Sequence, residues 1–538
     1  MLFFSILFLI MVMAITSLKT QISPILFQRL SSIILIYAGA LSINALYIQS
    51  IGSGIGIYSG LFHVTFISQL LDIFIYIIGA AILIARPLPI YVNYKNSSIT
   101  EEISYKNSIE YCLLIMFSTL GASLLISSSN LISMYLSIEL QSFAIYILST
   151  LYRNSESATS AGLKYFLLGS LASCFILLGS GLIYTFTGLT NLESIYNLIS
   201  VTGPINNNII QGIALGFIFI FSGFLLKIAA APLHNWAPDV YDESPTIVTI
   251  WLTIMPKISI LIFILEIFTQ IISVNPILES LDSMVLGFTA NNTIGLNSIK
   301  NLLLISSLLS LIIGTVVGLA QTKIKRLLAY STISHIGFIL LALAINSEQS
   351  IDSFIFYIIQ YTLTNLNTFL ILLAIGYIIN YKTIFNKGSE KDIKNISELK
   401  GLFFSNPILS ISLTICLLSM AGTPPFLGFF SKQFVLYSAI ESGYYFMAVS
   451  GILVSIISAS YYLRIIRILH TESVLNNSLI NETNTTEPSV AIAEGNGGIS
   501  NIHSLLISSL TLLIIFFVLK PSILLKSTQL LSLTLYYY

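Results

Sequence analysis

The chain has 538 residues, of which 55% are hydrophobic and only 9% are charged. A soluble domain of this length needs more charged side chains to cover its surface, so the composition predicts an integral membrane protein. The 23 basic and 23 acidic residues cancel, and this balance gives no indication of nucleic acid as a partner.

Apolar stretches of about 18 residues or more predict membrane-spanning helices, and the chain contains fourteen of them. In chain order they lie at 1–18, 31–48, 61–84, 110–129, 130–150, 159–187, 209–231, 245–270, 299–320, 326–345, 353–379, 407–441, 443–468 and 502–518. The twelfth stretch is interrupted by Gly-Thr-Pro-Pro at 422–425. This interruption predicts a broken helix, whose free backbone groups require protein or water around them. We therefore expect an all-α polytopic membrane protein.

Basic residues concentrate in the loops that follow odd-numbered segments, as at Arg153, Lys325 and Arg464. The positive-inside rule then predicts that these loops lie on the inner side and that both termini lie outside. Two long polar stretches remain. We expect the first, 380–406, to form an ordered surface element and the second, 469–501, to be a flexible insertion.

Four lysines that remain unplaced after the loop residues are counted, and one matching acid, lie within the predicted spans and are the first candidates for function: Glu139, Lys164, Lys227, Lys257 and Lys432. Each charge at a membrane centre costs about 2.5–3.5 kcal/mol on insertion scales. Intramembrane charges are therefore functional candidates by default. Two of these residues also have a structural interpretation. Lys164 lies near a helix end, where its ammonium can reach the membrane interface. Glu139 could serve as a structural ion-pair partner.

Two histidines join the candidates. His335 lies alone in an apolar segment and is interpreted either as a hydrogen-bonded core residue or as a proton carrier. His234 lies between Lys227 and Lys257, in a loop rich in proline, and could bind a proton or hydrogen-bond within the loop.

Several kinds of chemistry have no sequence signal. The chain has no GxGxxG fingerprint, no phosphate loop and no HExxH pair. Its three cysteines have no CxxC spacing, so no cofactor or metal site is expected on this chain. We expect the protein to move a small charged species, most simply protons, with energy supplied from elsewhere.

Several blocks of sequence resemble the antiporter-like subunits of respiratory complex I. These blocks are KIAAAPLHNWAPDVYDESPT, MPKIS, SIELQSFAIYIL, LKYFLLGSLAS, QTKIKRLLAYSTISHIGF and AGTPPFLGFFSKQF, within about residues 110–465. The resemblance implies two inverted five-helix repeats, each with a broken helix, at the seventh and twelfth segments. The domain boundaries that follow are an N-terminal three-helix segment at 1–109, repeat one at 110–270, repeat two at 299–468, the insertion at 469–501 and a C-terminal helix and tail at 502–538.

The resemblance also implies roles for the charged residues. Glu139 and Lys164 would form a modulating pair, Lys227 and Lys257 the central proton relay, and Lys432 the connection to the far half-channel. NADH, FMN, iron–sulfur clusters and ubiquinone would bind partner subunits, among them other membrane-arm chains, in the mitochondrial inner membrane. A cation/proton antiporter subunit and a structural membrane spacer remain as alternatives.

Overall fold

The computed structural model describes residues 1–19, 24–48, 54–85, 98–152, 155–202, 207–285, 294–384, 392–471 and 500–536. Within these ranges the chain is almost entirely α-helical, which confirms the predicted all-α class. Helices suit a bilayer because each one satisfies its backbone hydrogen bonds within a single segment.

The N-terminal part contains three long helices and one small hairpin. They are α1 Leu2–Lys19, α2 Pro24–Ala45, the antiparallel strands β1 Ile55–Ile57 and β2 Phe62–Val64, and α3 Phe66–Ile84. The predicted third segment, 61–84, therefore begins too early. Its first residues pair as a strand, and a reciprocal capping box between Thr65 and Ser68 starts the helix, because both side chains satisfy free backbone N–H groups there.

Repeat one follows, with one surface helix inserted. Its helices are α4 Ser98–Ile126, α5 Leu131–Thr150, α6 Glu156–Thr187, the connecting α7 Leu192–Thr202, α8 Asn207–Ile228, the short α9 Trp236–Glu243, and α10 Thr246–Val285.

Repeat two and the C-terminal part complete the chain. They comprise α11 Ile294–Leu319, α12 Ile324–Ile345, α13 Glu348–Ile384, a 3-10 turn Ile396–Leu399, α14 Leu402–Ser405, α15 Pro407–Ala421, α16 Leu427–Glu441, α17 Tyr445–His470, α18 Asn501–Phe516, a 3-10 turn Phe517–Leu519 and α19 Ser522–Tyr536. Each repeat crosses five times, counting each broken helix once, so the second begins on the opposite side from the first. The C-terminal tail predicted after the last span forms a further helix, α19.

Twelve of the described helices are long and apolar enough to cross a membrane. They coincide with twelve of the fourteen predicted segments. The other two, at 1–18 and 407–441, contain the shorter apolar helices Leu2–Ala14 and Pro407–Ala421. The predicted insertion lies outside the described residues over 472–499.

Both predicted helix breaks are present, and each has a left-handed residue where the first half ends. Ala229 has φ 65° after α8, and Gly422 has φ 86° after α15. A proline follows in each case, at Pro232 and Pro424, so the helix cannot simply continue. The breaks leave carbonyl groups unpaired by the helix, and side chains described below bond to some of them.

Helices α10, α12 and α13 form the centre of the bundle. In the membrane-spanning stretch of α12 100% of the residues are buried, whereas in that of α18 only 28% are buried. Outer helices instead expose large hydrophobic side chains such as Leu171 on α6 and Ile456 on α17. This apolar outer surface suits lipid or neighbouring membrane subunits.

Of the predicted surface element at 380–406, residues 380–384 end α13 and the described residues from Asp392 onward form a surface segment. Ile324 N–H donates to the Lys394 carbonyl at 3.0 Å, and Ile396 N–H donates to the Thr322 carbonyl at 3.1 Å. The segment therefore packs against the start of α12. We call this end of the bundle, where Lys323, Arg326 and Arg464 lie, the basic end.

Candidate functional site

Lys227 and Glu139 form a buried ion pair. Lys227 lies in the last turn of α8, and its Nζ donates to Glu139 Oε1 of α5 at 3.0 Å. The two side chains are only 6% and 12% exposed. Ser142, one turn after Glu139, lies 3.4 Å from the same ammonium. Pairing and hydrogen bonding allow both charges to persist in a low dielectric.

Neighbouring residues compensate the helix break that follows Lys227. The Trp236 indole donates to the Leu226 carbonyl at 2.8 Å, which satisfies one acceptor that the interrupted helix leaves free. Ala229, Ala230 and Ala231 are fully buried, so small side chains let the unwound link pass through the packed interior.

A cavity separates Lys227 from helix α10. It is lined by Gln141, Ser142, Lys227, Pro256 and Ile260, among others, and it has room for about one water molecule. Beside it, Gln141 Nε2 donates to Ser259 Oγ at 3.0 Å, linking α5 to α10.

Lys257 is 1% exposed and lies on the middle of α10. Its Nζ donates to Thr332 Oγ1 at 3.2 Å and to Tyr361 Oη at 3.3 Å. The ring of Tyr241 lies 5.4 Å from the same ammonium. Neutral oxygens and aromatic faces thus surround this lysine, and no carboxylate pairs with it among the described residues.

One face of α12 continues from Lys257 toward Lys432. Thr332, His335 and Phe338 recur at a three-residue spacing, which places them on one helix face. His335 Nδ1 lies 2.8 Å from Tyr357 Oη, and Nε2 lies 3.4 Å from Tyr462 Oη. His335 is therefore both a hydrogen-bonded core residue and a member of the polar row, so the geometry keeps both sequence interpretations open.

Lys432 completes the row at the second helix break. Its Nζ donates to the Met420 and Ala421 carbonyls, both at 2.9 Å, and lies 5.7 Å from the Phe338 ring centroid. These carbonyls end α15, and a cation at a helix C-terminus is favoured by the helix dipole. The interrupted helix thus creates the binding place for the ammonium.

Lys164 does not pair with Glu139, and the expectation of that pair was wrong. Its Nζ lies 3.3 Å from Asp239 and 3.5 Å from Glu243, both on α9, and its side chain is 44% exposed. Arg326 shares the Asp239 carboxylate at 3.1 Å. Lys164 lies in the part of α6 that is near the basic end of the bundle, where the acidic residues of α9 contact it. Glu139 lies deeper and pairs with Lys227.

His234 lies in the unwound link before α9 and is 9% exposed. Burial lowers its pKa, and a hydrogen bond with the Pro232 backbone partly opposes this shift. Its Nδ1 has no partner among the described residues. The ring packs against Tyr330, between the two repeats.

Sequence reasoning missed a second buried ion pair. Lys325, which was counted among the loop residues, is 3% exposed and donates to Asp392 Oδ2 at 2.8 Å. Burial alone would raise the pKa of Asp392, but the Lys325 ammonium and the hydrogen bonds from Thr246 hold it below its usual range. The only sequence signal was the acidic residue in the polar stretch after α13.

The side chains therefore form a discontinuous row across the bundle: Glu139, Lys227, the cavity beside Gln141, Lys257, Thr332, His335 and Lys432. In this row, the ionisable side chains are accompanied by two neutral hydrogen-bonding side chains, Gln141 and Thr332. Within the described ranges, no cluster of three or more His, Cys, Asp or Glu residues could hold a metal ion.

The match to known proteins defines the class. Residues 128–458 match the family described as NADH:quinone oxidoreductase/Mrp antiporter, TM. The chain belongs to this family of antiporter-like membrane subunits.

Particular relatives narrow the comparison. The NADH-ubiquinone oxidoreductase chain 2 of Rhizopus oryzae is 50% identical over 98% of this chain and 99% of its own length. The NADH-quinone oxidoreductase subunit N of Rhodospirillum rubrum is 32% identical over 78% of this chain and 76% of its own.

Solved structures share the fold. A chain of respiratory complex I from Thermus thermophilus with bound aureothin superposes with a TM-score of 0.70 at 23% identity, covering 98% of this chain and 99% of that one. A chain of the Mrp complex from Dietzia gives 0.72 at 18% identity, covering 99% and 95%.

Proposed function

We propose that this chain is a proton-translocating subunit of the membrane arm of NADH:ubiquinone oxidoreductase. The observation that carries the proposal is the buried row of ionisable side chains that contains Glu139, Lys227, Lys257 and Lys432. A row of this kind, in a family of quinone oxidoreductase and antiporter subunits, suits proton transfer better than packing, because each buried lysine is costly unless it is used.

The ion pair is the entry to the relay. While Lys227 contacts Glu139, the ammonium is compensated. Separation of the pair would leave a charge in a low dielectric, which is costly. A proton would then pass through water in the adjacent cavity toward Lys257. Lys257, His335 and Lys432 would carry charge onward along α12.

Lys164 acts at the edge of this relay. One of its two carboxylate partners on α9, Asp239, is also bonded by Arg326 of repeat two, so movement of α9 would change the charge near Lys227. His234, in the link that joins α8 to α9, could exchange a proton with the same region. We keep both residues as modulators rather than as members of the central row.

Electron transfer belongs to partner subunits in this proposal. NADH, FMN, iron–sulfur clusters and ubiquinone would bind there, and this chain would respond through charge and helix movements. Its neighbours would be other membrane-arm subunits, including antiporter-like chains, together with lipid.

The relatives and the charge pattern support a proposal for the cellular site and the orientation. The chain would lie in the mitochondrial inner membrane, with the basic end in the matrix and both termini on the intermembrane-space side. The excess of basic residues at one end supports this orientation.

Substitution of Lys257 by Met tests the relay. The variant keeps the length of the side chain and loses the charge, so proton pumping and NADH oxidation by ubiquinone should fall to a small fraction of wild type in the assembled complex. NADH oxidation by a hydrophilic artificial acceptor should persist. Lys300→Met is the control, because Lys300 packs over Tyr444 near a helix end, outside the row. Normal pumping in Lys257→Met would favour the spacer interpretation.

The structural similarity to a chain of the Mrp complex supports one other candidate, a cation/proton antiporter subunit. Pumping that requires Na⁺, measured in vesicles with choline as the replacement cation, would favour that candidate. Proton pumping that is unchanged without Na⁺ supports the proposal above.

A further inference from the structure

Helix α13 carries buried amide side chains whose oxygens lack partners. Gln360 and Asn367 are 1% and 0% exposed, yet Gln360 Oε1 and Asn367 Oδ1 have no hydrogen-bond partner among the described residues. Buried polar atoms in proteins are nearly always paired with protein groups or with ordered water. Ordered water is therefore one partner that can satisfy these two oxygens.

These amides lie in one line along the helix. Gln360, Thr364 and Asn367 are spaced by four and three residues, so they share one face. Gln360 Nε2 donates to Thr364 Oγ1 at 3.4 Å. Asn367 Nδ2 donates to Cys416 Sγ of α15 at 3.1 Å, which brings a buried thiol into the same line.

One end of the line meets the site of Lys432. A Cβ placed on Gly428 would lie 3.3 Å from Gln360 Nε2, so the amide packs directly against the α16 backbone. Gly428 is one turn before Lys432 on that helix. Gln360 thus lies beside the second helix break.

The other end meets a buried histidine. His503 of α18 is 0% exposed, and its Nε2 lies 3.1 Å from the Leu370 carbonyl, one turn beyond Asn367. Its Nδ1 has no partner within the described ranges. Asn501, at the start of the same helix, is exposed to solvent.

The line leads toward the basic end of the bundle. Helix α13 ends at Ile384, and the segment that follows it hydrogen-bonds to the start of α12 at that end. From Gln360 to Leu370 the helix rises about 15 Å, which is half of the hydrocarbon thickness of about 30 Å. The line therefore extends from the membrane interior toward the basic end.

We infer that Gln360, Thr364, Asn367, Cys416 and His503 line a narrow water path between Lys432 and the basic end. We call this set the polar track. Repeat two would then have its own proton connection to that side, separate from the Glu139–Lys227 entry in repeat one. The inference rests on the proposed role of the lysine row. Amides and hydroxyls hold water in place, and His503 is the group that can take up a proton.

Asn367→Leu tests the track, because leucine has nearly the same shape but cannot bond water. The assembled complex is studied in vesicles with the basic end facing the medium. If the track supplies protons, the supply in the variant limits pumping more strongly as the proton concentration of the medium falls. The pumping deficit of Asn367→Leu relative to wild type should therefore grow by up to about tenfold for each unit by which the medium pH rises. Thr362→Val is the control on the same helix, because Thr362 already bonds the Ile359 carbonyl; its pH profile should match wild type.

The outcomes of this test separate the track from the relay. A wild-type profile in Asn367→Leu, or a loss of equal size at every pH, overturns the track. If Lys257→Met, measured in parallel, leaves pumping intact, the relay itself fails. If Lys257→Met abolishes pumping while Asn367→Leu behaves as wild type, only the track fails.

Cys416 offers a readout that does not depend on activity or on a viable Asn367 variant. Transfer of the complex into D₂O should convert the Cys416 S–H infrared stretch to S–D rapidly, because the thiol lies on the water path. The band is assigned by its loss in Cys416→Ala. Cys112, which is buried in α4 and is not one of the track residues, should exchange far more slowly. Equal slow exchange of both thiols overturns the inference.

Discussion

The three lysines of the row differ in how the protein compensates their charge. Lys227 has the Glu139 carboxylate, Lys432 has two helix-end carbonyls, and Lys257 has only hydroxyl groups and aromatic rings. A full carboxylate stabilises an ammonium more strongly than neutral oxygens do. In the proposed relay, Lys257 is therefore the lysine best suited to accept a proton from one neighbour and release it to the other.

The observed pairing of Glu139 with Lys227 rather than with Lys164 leads to a prediction for single residues. We expect Glu139→Gln and Lys227→Met to act non-additively on the pumping rate, with a coupling of about 0.5–3 kcal/mol, because the two side chains are in contact. Glu139→Gln and Lys164→Met should be nearly additive, since Lys164 bonds α9 instead. Double-mutant cycles on the assembled complex measure both couplings. Equal couplings for the two pairs would contradict the observed pairing.

At the scale of elements, the two broken helices create the positions that hold lysines. An unbroken α15 would satisfy its own carbonyls and leave Lys432 without acceptors. The left-handed Gly422 ends α15 and faces the lysine stem, because a Cβ there would lie 3.0 Å from Lys432 Cδ. The break is thus a requirement of the site rather than a defect in a span.

Two glycines allow this role to be separated from backbone strain. Gly422→Ala and Gly443→Ala each place a side chain at positive φ, and Gly443 has open space around it. Both should lower stability by roughly 1–2 kcal/mol, the cost of a left-handed conformation. Only Gly422→Ala should also reduce proton pumping, because it crowds Lys432. Thermal unfolding in detergent and pumping in vesicles test the two effects, and equal pumping losses would remove the special role of Gly422.

At the scale of the whole molecule, ion pairs at the basic end join the two repeats. Asp392 accepts from Thr246 N–H at 3.0 Å, at the start of α10, and from Lys325 of α12 at 2.8 Å. Lys257 lies eleven residues beyond Thr246, and Thr332 lies seven beyond Lys325. Eleven residues make about three helical turns and seven make about two, so the two residues of each pair lie on one face of their helix. The Asp392 contacts and the Lys257–Thr332 contact therefore lie along the same interface.

Asp392→Asn should therefore loosen the join between the repeats. It would leave the Lys325 ammonium buried without its carboxylate, at a cost of about 1–3 kcal/mol, less than for a fully buried pair because Asp392 is partly exposed. Thermal unfolding of the assembled complex measures this loss. Glu398→Gln is the control in the same segment, because its carboxylate bonds the exposed Lys394 and Asn395 backbone, and it should change stability little.

The same ion pair predicts a dependence on pH. The folded-state pKa of Asp392 lies below its usual range, so its stabilising contribution is present at neutral pH and is lost as the pH falls through that lowered pKa. The stability difference between wild type and Asp392→Asn should shrink on acidification. A difference that stays constant down to strongly acidic pH would show that the carboxylate charge is not responsible.

Local sequence features were enough to predict most of the fold. Runs of apolar residues marked the spans, and prolines marked both breaks, because span length and helix interruption depend only on neighbouring residues. The same reasoning identified Glu139, Lys227, Lys257 and Lys432, since a charge in an apolar run is visible without any tertiary information.

Only the tertiary structure decided which charges meet. The choice between Lys164 and Lys227 as the partner of Glu139 depends on the depth of each side chain in the bundle and on the rotation of α5, α6 and α8 about their axes. A span of uniform hydrophobicity predicts neither. Lys325 was assigned to a loop because its buried position arises from a segment that returns to it some 67 residues later. Apolar patterning determines that a helix is in the membrane, whereas the packing of helices against each other determines which polar atoms lie within hydrogen-bonding distance.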